Sequence, residues 1–188
     1  MGTGIAAYGG MTSQPVALGT VELPARRGLD LLVLDRVIIQ AWDRILFVEC
    51  GDGWIAEEAW RRALRAYVCG LDLSVAQIAL AKQLREVPGK LEFYSWDRRR
   101  LPTPDGAFDR VVATFVPLGV VDPEALLRDV QRVLRPAGDV YLLYPAASEG
   151  ELRHALARAG FAELHELARS EDQRALLVHA RAGRQKIV

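Results

Sequence analysis

Short apolar runs alternate regularly with longer segments of helical spacing, and this alternation constrains the fold more than any other feature of the chain. The runs Arg44–Val48, Tyr67–Leu71, Leu91–Ser95, Phe108–Phe115 and Asp139–Tyr144 have the length and composition of buried strands. Between them lie three helical segments: Trp54–Arg65, a stretch capped by Ser74 and running to Arg85, and Pro123–Leu134, which has proline in its first turn. Parallel strands need a crossover, and a helix is the usual one, so this order predicts a parallel sheet with helices on both faces.

The flanks extend the pattern. Leu29, Leu32, Val33, Val37, Ile38 and Ala41 recur at near-helical spacing, which predicts an amphipathic helix over Arg26–Trp42 leading into the sheet. Arg135-Pro136-Ala137-Gly138 should break the chain before the fifth strand. A further helix after Gly150 should end at Gly160, and Phe161–Ala168 with Ala175–Ala180 should form an antiparallel pair closing the sheet. Residues 25–182 then make one domain. Met1–Pro24, rich in Gly, Thr and Ser without a steady period, is expected to be an arm or lid, and 183–188 a tail.

At 188 residues and 51% hydrophobic, the chain can bury a core without metals or disulfides. Lys plus Arg equals Asp plus Glu at 24 each, so the broad positive field of a general nucleic-acid binder is missing and no nucleic-acid partner is expected. No apolar run approaches the ~20 residues of a membrane span, and the first residues lack the pattern of a secretory signal, so a cytoplasmic location is expected. Cys50 and Cys69 lie in or beside apolar segments and read as buried thiols. No residue is assigned to a metal.

In an open parallel sheet, ligands bind beyond the carboxyl ends of the strands where strand order reverses. Gly51 and Gly53 end the first strand and open a helix, so a ligand can approach bare backbone there. Asp72 ends the second strand, where a carboxylate can accept from both hydroxyls of a ribose. Asp97 follows the third strand, placed to meet a base amine, with Trp96 beside it as an apolar wall. Each also has an ordinary reading, as a turn, a cap or a solvated loop, but the three mark consecutive strand ends in order. Arg98, Arg99 and Arg100 are expected to form a solvated loop.

With these residues the chain resembles the class I S-adenosylmethionine-dependent methyltransferases, particularly the small-molecule group that includes the ubiquinone and menaquinone enzymes. The resemblance covers about Arg26–Ala182. It rests on Ile45-Leu46-Phe47-Val48-Glu49-Cys50-Gly51-Asp52-Gly53, Gly70-Leu71-Asp72-Leu73-Ser74, Trp96-Asp97, Leu101–Asp109, Leu126–Gly138 and Ala159-Gly160-Phe161. It implies a doubly wound Rossmann-like sheet of seven strands, mostly parallel with an antiparallel C-terminal strand. It implies S-adenosyl-L-methionine as cofactor, with Gly51 and Gly53 lining the methionine portion, Asp72 the ribose and Asp97 the adenine amine. Leu73 and Trp96 would flank the adenine ring, and Thr114 and Phe115 would face the sulfonium.

The sequence departs from that family's pattern in the glycine loop, with Phe47 where an acidic residue is usual and Glu49 where a glycine is usual. Glu49 is expected to take over the acidic role by pairing with the cofactor's ammonium; the opposed reading makes it a plug in a degenerate, non-catalytic relative. Gly51-Asp52-Gly53-Trp54-Ile55-Ala56 also satisfies a nicotinamide-dinucleotide fingerprint, but no tyrosine has a lysine four residues later and no substrate domain follows. Ala113–Leu118 lacks the Asn-Pro-Pro-Tyr type of segment found in base-amine methylating enzymes, which favours a small apolar or aromatic acceptor. His154, His165 and His179 read as ordinary surface or hairpin histidines, and no catalytic base is named.

Overall fold

The computed structural model describes residues 23–114 and 122–183. In chain order it comprises α1 (Leu23–Leu34), β1 (Arg44–Val48), α2 (Trp54–Arg62), β2 (Tyr67–Asp72), α3 (Val75–Arg85), β3 (Leu91–Ser95) and β4 (Phe108–Thr114). There follow α4 (Pro123–Val133), β5 (Leu134–Pro145), a short 3-10 turn (Ala146–Ser148), α5 (Glu149–Arg158), β6 (Phe161–Arg169) and β7 (Ala175–Ala182). One seven-stranded sheet runs in the order β3-β2-β1-β4-β5-β7-β6. β1 is parallel to β2 and β4, β2 to β3, and β4 to β5, whereas β7 is antiparallel to both its neighbours.

The alternation of side chains across the sheet explains why its central strands are apolar throughout. Ile45 and Phe47 of β1 point to the face packed by α1, α2 and α3, while Leu46 and Val48 point to the face packed by α4 and α5. α4 is capped by Asp122, whose carboxylate accepts from the amides of Glu124 and Ala125, and Leu126, Leu127, Val130 and Val133 form its buried stripe.

Three expected boundaries differ. The first helix stops at Leu34 rather than Trp42: Asp35–Val37 make a final turn, the Arg36 and Val37 amides donating to the Val33 carbonyl, and the chain leaves regular structure at the branched pair Ile38-Ile39. The Arg62 guanidinium donates to the Leu34 carbonyl at 2.5 Å, satisfying one of the orphan acceptors at the helix end, and Arg110 donates to the Ile38 carbonyl. α2 likewise ends at Arg62, three residues short of the expected Arg65. β5 starts at Leu134, so the Pro136–Gly138 connector lies inside the strand as an irregularity in register between Phe108 and Arg110. Gly138 is required there, since a Cβ would stand 3.0 Å from the carbonyl oxygens of both Arg135 and Asp109. Of the arm expected over Met1–Pro24 and the tail over 183–188, only Leu23, Pro24 and Gly183 are among the described residues, and Leu23 and Pro24 belong to α1, which starts three residues before the expected Arg26.

Candidate functional site

Strand order reverses between β1 and β4, and the loops that leave the carboxyl ends of β1, β2 and β3 lie side by side there. The β1 loop carries three residues of positive φ: Glu49 at 61°, Gly51 at 59° and Gly53 at 78°. Asp72 fastens this loop to the end of β2. Its two carboxylate oxygens accept from the Gly51 amide at 2.7 Å and the Ser74 amide at 2.8 Å. Ser74 in turn caps α3 by accepting from the Gln77 amide. Thr114, buried at the end of β4, donates from its hydroxyl to the Glu49 carbonyl at 3.2 Å, and Arg26 of α1 donates to the same carbonyl at 2.6 Å.

The glycines differ from the sequence expectation in what they do. The Gly51 amide is engaged by Asp72 and the Gly53 amide by the Cys50 carbonyl, so neither N–H is bare. At Gly53 an added Cβ would stand 2.6 Å from the Phe93 ring and 2.9 Å from Ala81, so this glycine serves the close approach of α2 to the sheet. At Gly51 the Arg26 guanidinium fills the space that a Cβ would take, its nearest atom 3.1 Å from a built Cβ.

Glu49 is buried, and its carboxylate is gripped on both oxygens by Arg98, with Nε donating at 2.7 Å and Nη2 at 2.8 Å. Arg98 has φ 63° and leaves the chain just after β3. Its pairing with Glu49 raises its pKa above the ordinary arginine range. Sequence reasoning placed all three arginines in a solvated loop; Arg99 and Arg100 are indeed exposed, and Arg98 is drawn inward. No linear signal marks it, because its partner is 49 residues away.

Along the segments that follow β2 and β3 runs an open groove of ≈ 540 Å³, lined by Leu73, Val75, Trp96, Asp97, Arg99 and Pro102 among others. Leu73 presents an exposed apolar side chain, and Asp97 is exposed with one oxygen accepting from the Arg99 amide. Trp96 is buried, donates from its ring N–H to the Arg100 carbonyl and forms the inner wall. The structure thus brings Glu49, Gly51, Asp72, Leu73, Trp96, Asp97 and Thr114 to one edge, and Phe115 lies outside the described residues. Sequence reasoning also missed Gly70, where a Cβ would stand 2.6 Å from Phe93 and 2.9 Å from the Cys50 sulfur.

Other chemistry is sparse. His165 and His179 stack on the β6–β7 pair at 6.2 Å, and His154 is on α5, so none reaches the groove. Both cysteines are buried and free, and burial pushes both thiols up, Cys69 to about 12, which keeps them protonated. Among the described residues no cluster of His, Cys, Asp or Glu could hold a metal ion, and no helix is long and apolar enough to cross a membrane.

Sheet order, helices on both faces and the loop at the switch point define a Rossmann-like, doubly wound protein. A family profile described as Methyltransferase domain matches residues 46–142, just over half of the chain, and the chain belongs to that family. A demethylmenaquinone methyltransferase of Thermus thermophilus is 35% identical over 127 residues, covering 66% of this chain and 56% of that protein. A probable phthiotriol/phenolphthiotriol dimycocerosates methyltransferase of Mycobacterium ulcerans is 32% identical over 149 residues, covering 77% and 57%. The chain therefore spans little more than half the length of these relatives.

Among solved structures, a SAM-dependent methyltransferase from Aquifex aeolicus superposes with TM-score 0.70 at 17% identity, covering 81% of this chain and 88% of that one. The [4+2]-cyclase SpnF superposes equally well, TM-score 0.70 at 20% identity, covering 85% and 82%. These likenesses establish the fold, and the pairing of a cyclase with a methyltransferase illustrates that fold alone does not fix the reaction.

Proposed function

We propose that the protein transfers a methyl group from S-adenosylmethionine to a small apolar or aromatic acceptor. The observation that carries this reading is the open groove of Leu73, Trp96 and Asp97 next to Asp72, and a loop whose Glu49 is held by Arg98 at its carboxylate and by Arg26 at its carbonyl, in a chain of the methyltransferase family. The residues present fit the cofactor. An adenine ring suits the groove, with Leu73 and Trp96 flanking it and Asp97 accepting from its amine. Asp72 keeps unused lone pairs for ribose hydroxyls, since a carboxylate offers about four acceptor positions. Glu49 suits the ammonium, and Arg26 and Arg98 suit the carboxylate, of the amino-acid end.

When bound, the cofactor supplies an activated methyl group on a sulfonium. The chain supplies placement: Gly51 leaves room for the Arg26 guanidinium, and Thr114 and Arg26 fix the Glu49 carbonyl and with it the loop's geometry. Phe115, next to Thr114 in sequence, is assigned to the sulfonium side with it. The names of the relatives, acting on demethylmenaquinone and phthiotriol, support a small-molecule acceptor. In the same reading residues 25–182 are the catalytic domain. The two free buried cysteines support a cytoplasmic location.

Calorimetric titration with S-adenosylmethionine, S-adenosylhomocysteine and the nicotinamide dinucleotides tests the cofactor, and methyl transfer to quinol and phenol acceptors tests the reaction. Binding of a dinucleotide in place of the adenosyl ligands would overturn the reading. A second reading, a non-catalytic relative, is favoured by the Glu49–Arg98 pair at the loop; it predicts no adenosyl binding by the parent protein.

A further inference from the structure

The Glu49–Arg98 pair has a position as well as a geometry. Glu49 follows β1 and Arg98 follows β3, and β2 lies between these strands. Neighbouring strands are about 4.8 Å apart, so the two side chains together bridge roughly 10 Å between the loops that flank the carboxyl end of β2. That end is Asp72, which is buried. Both partners are non-glycine residues at positive φ, 61° and 63°, a backbone state that long side chains adopt only where the surroundings hold them. The bidentate contact is what joins them.

We infer that the Glu49–Arg98 ion pair is a latch over the ribose position that only an adenosyl ligand with an intact zwitterionic amino-acid end can open. The inference rests on the cofactor reading above and adds a specificity determinant to it. A ligand that reaches Asp72 must move the Arg98 guanidinium aside. Doing so separates a part-buried, charge-assisted pair and leaves both charges short of a partner. An amino-acid end repairs both losses, its ammonium replacing Arg98 on Glu49 and its carboxylate replacing Glu49 on Arg98. A ligand with adenosine alone would have to break the same pair with nothing to repair either loss, so the latch stays closed to it. The latch thus converts charge matching at one end of the ligand into access for the other.

The test is a titration calorimetry series with S-adenosylhomocysteine and 5′-methylthioadenosine, which share adenosine and a thioether and differ in the amino-acid end. It compares the parent with Arg98→Asn and Glu49→Gly, replacements that tolerate positive φ, each checked for a cooperative thermal melt. The expected signature is a crossover. In both variants S-adenosylhomocysteine binds about tenfold more weakly while methylthioadenosine binds about tenfold more tightly, figures that correspond to ~1.4 kcal/mol each. If the two ligands keep the parent's affinity ratio in folded variants, the latch is overturned and the cofactor reading survives. If S-adenosylhomocysteine tightens in Glu49→Gly, the side chain is a plug and the exchange is overturned. If neither ligand binds parent or variants, the cofactor reading fails and takes the latch with it.

Discussion

At the scale of single residues, Asp72 has two tasks. Its sequence position suggests a ligand contact or a cap beside Ser74, and it holds the amides of both Ser74 and Gly51, so that it also closes the β1 loop. Asp72→Ala should therefore lose about 1–3 kcal/mol of stability as well as adenosyl-ligand affinity, because two part-buried or buried donors lose a charged acceptor. Urea melts beside calorimetry check this, and unchanged stability would place the amides on other partners. Asp30 behaves differently. Its carboxyl is buried on α1 with one oxygen unpartnered among the described residues, and burial raises its pKa to about 6, partly offset by Arg26 and Arg27. Below about pH 4 the group is protonated in both folded and unfolded chains and costs nothing. Between about pH 4 and 6 the unfolded chain ionises first, so stability falls, and above about pH 6 the cost is constant. Asp30→Asn should then be more stable than the parent by about 1–3 kcal/mol at pH 7, with the gain vanishing by about pH 4. A difference that does not change with pH would refute this assignment.

At the scale of elements, the contact between α2 and β3 is set by one missing side chain. The Phe93 ring occupies the place where Gly53 would carry a Cβ, and Gly53 also holds φ 78° at the N-terminus of α2. Gly53→Ala should cost about 2–4 kcal/mol, the sum of left-handed backbone strain and overpacking. Denaturant titration should show the midpoint falling with little change in slope; a neutral substitution would mean that α2 shifts at no cost. The ends of the elements follow the same logic of non-local partners. The first helix ends where Arg62 and Arg110 take the chain's carbonyls, although apolar spacing alone would carry it to Trp42.

At the scale of the whole molecule, Arg110 ties together segments far apart in the chain. It is buried on β4, paired at 3.0 Å with Asp43 before β1 and at 3.0 Å with Asp139 on β5, and it donates to the Ile38 carbonyl beyond α1. Arg110→Ala leaves the buried Asp43 without its cation, while Asp139 keeps His179 and Arg181, and should cost about 3–5 kcal/mol. The exposed Arg174 should be close to neutral by the same urea melt. Equal effects at the two positions would show that water reaches the Arg110 cluster.

Much of this architecture is legible in the linear order of residues. Strands β1 to β4 begin where their apolar runs begin, Ser74 caps α3 as expected, and Gly51, Asp72 and Asp97 fall at successive strand ends. These features depend on local periodicity, caps and turns, which act over a few residues. The tertiary structure alone decided that Arg98 closes on Glu49, that Asp72 serves backbone amides, that Gly53 makes room for Phe93 and that Pro136–Gly138 bulges within β5. Apart from the local Asp72–Ser74 bond, each depends on strands distant in the chain being laid side by side, and local spacing carries no information about which residues will then meet.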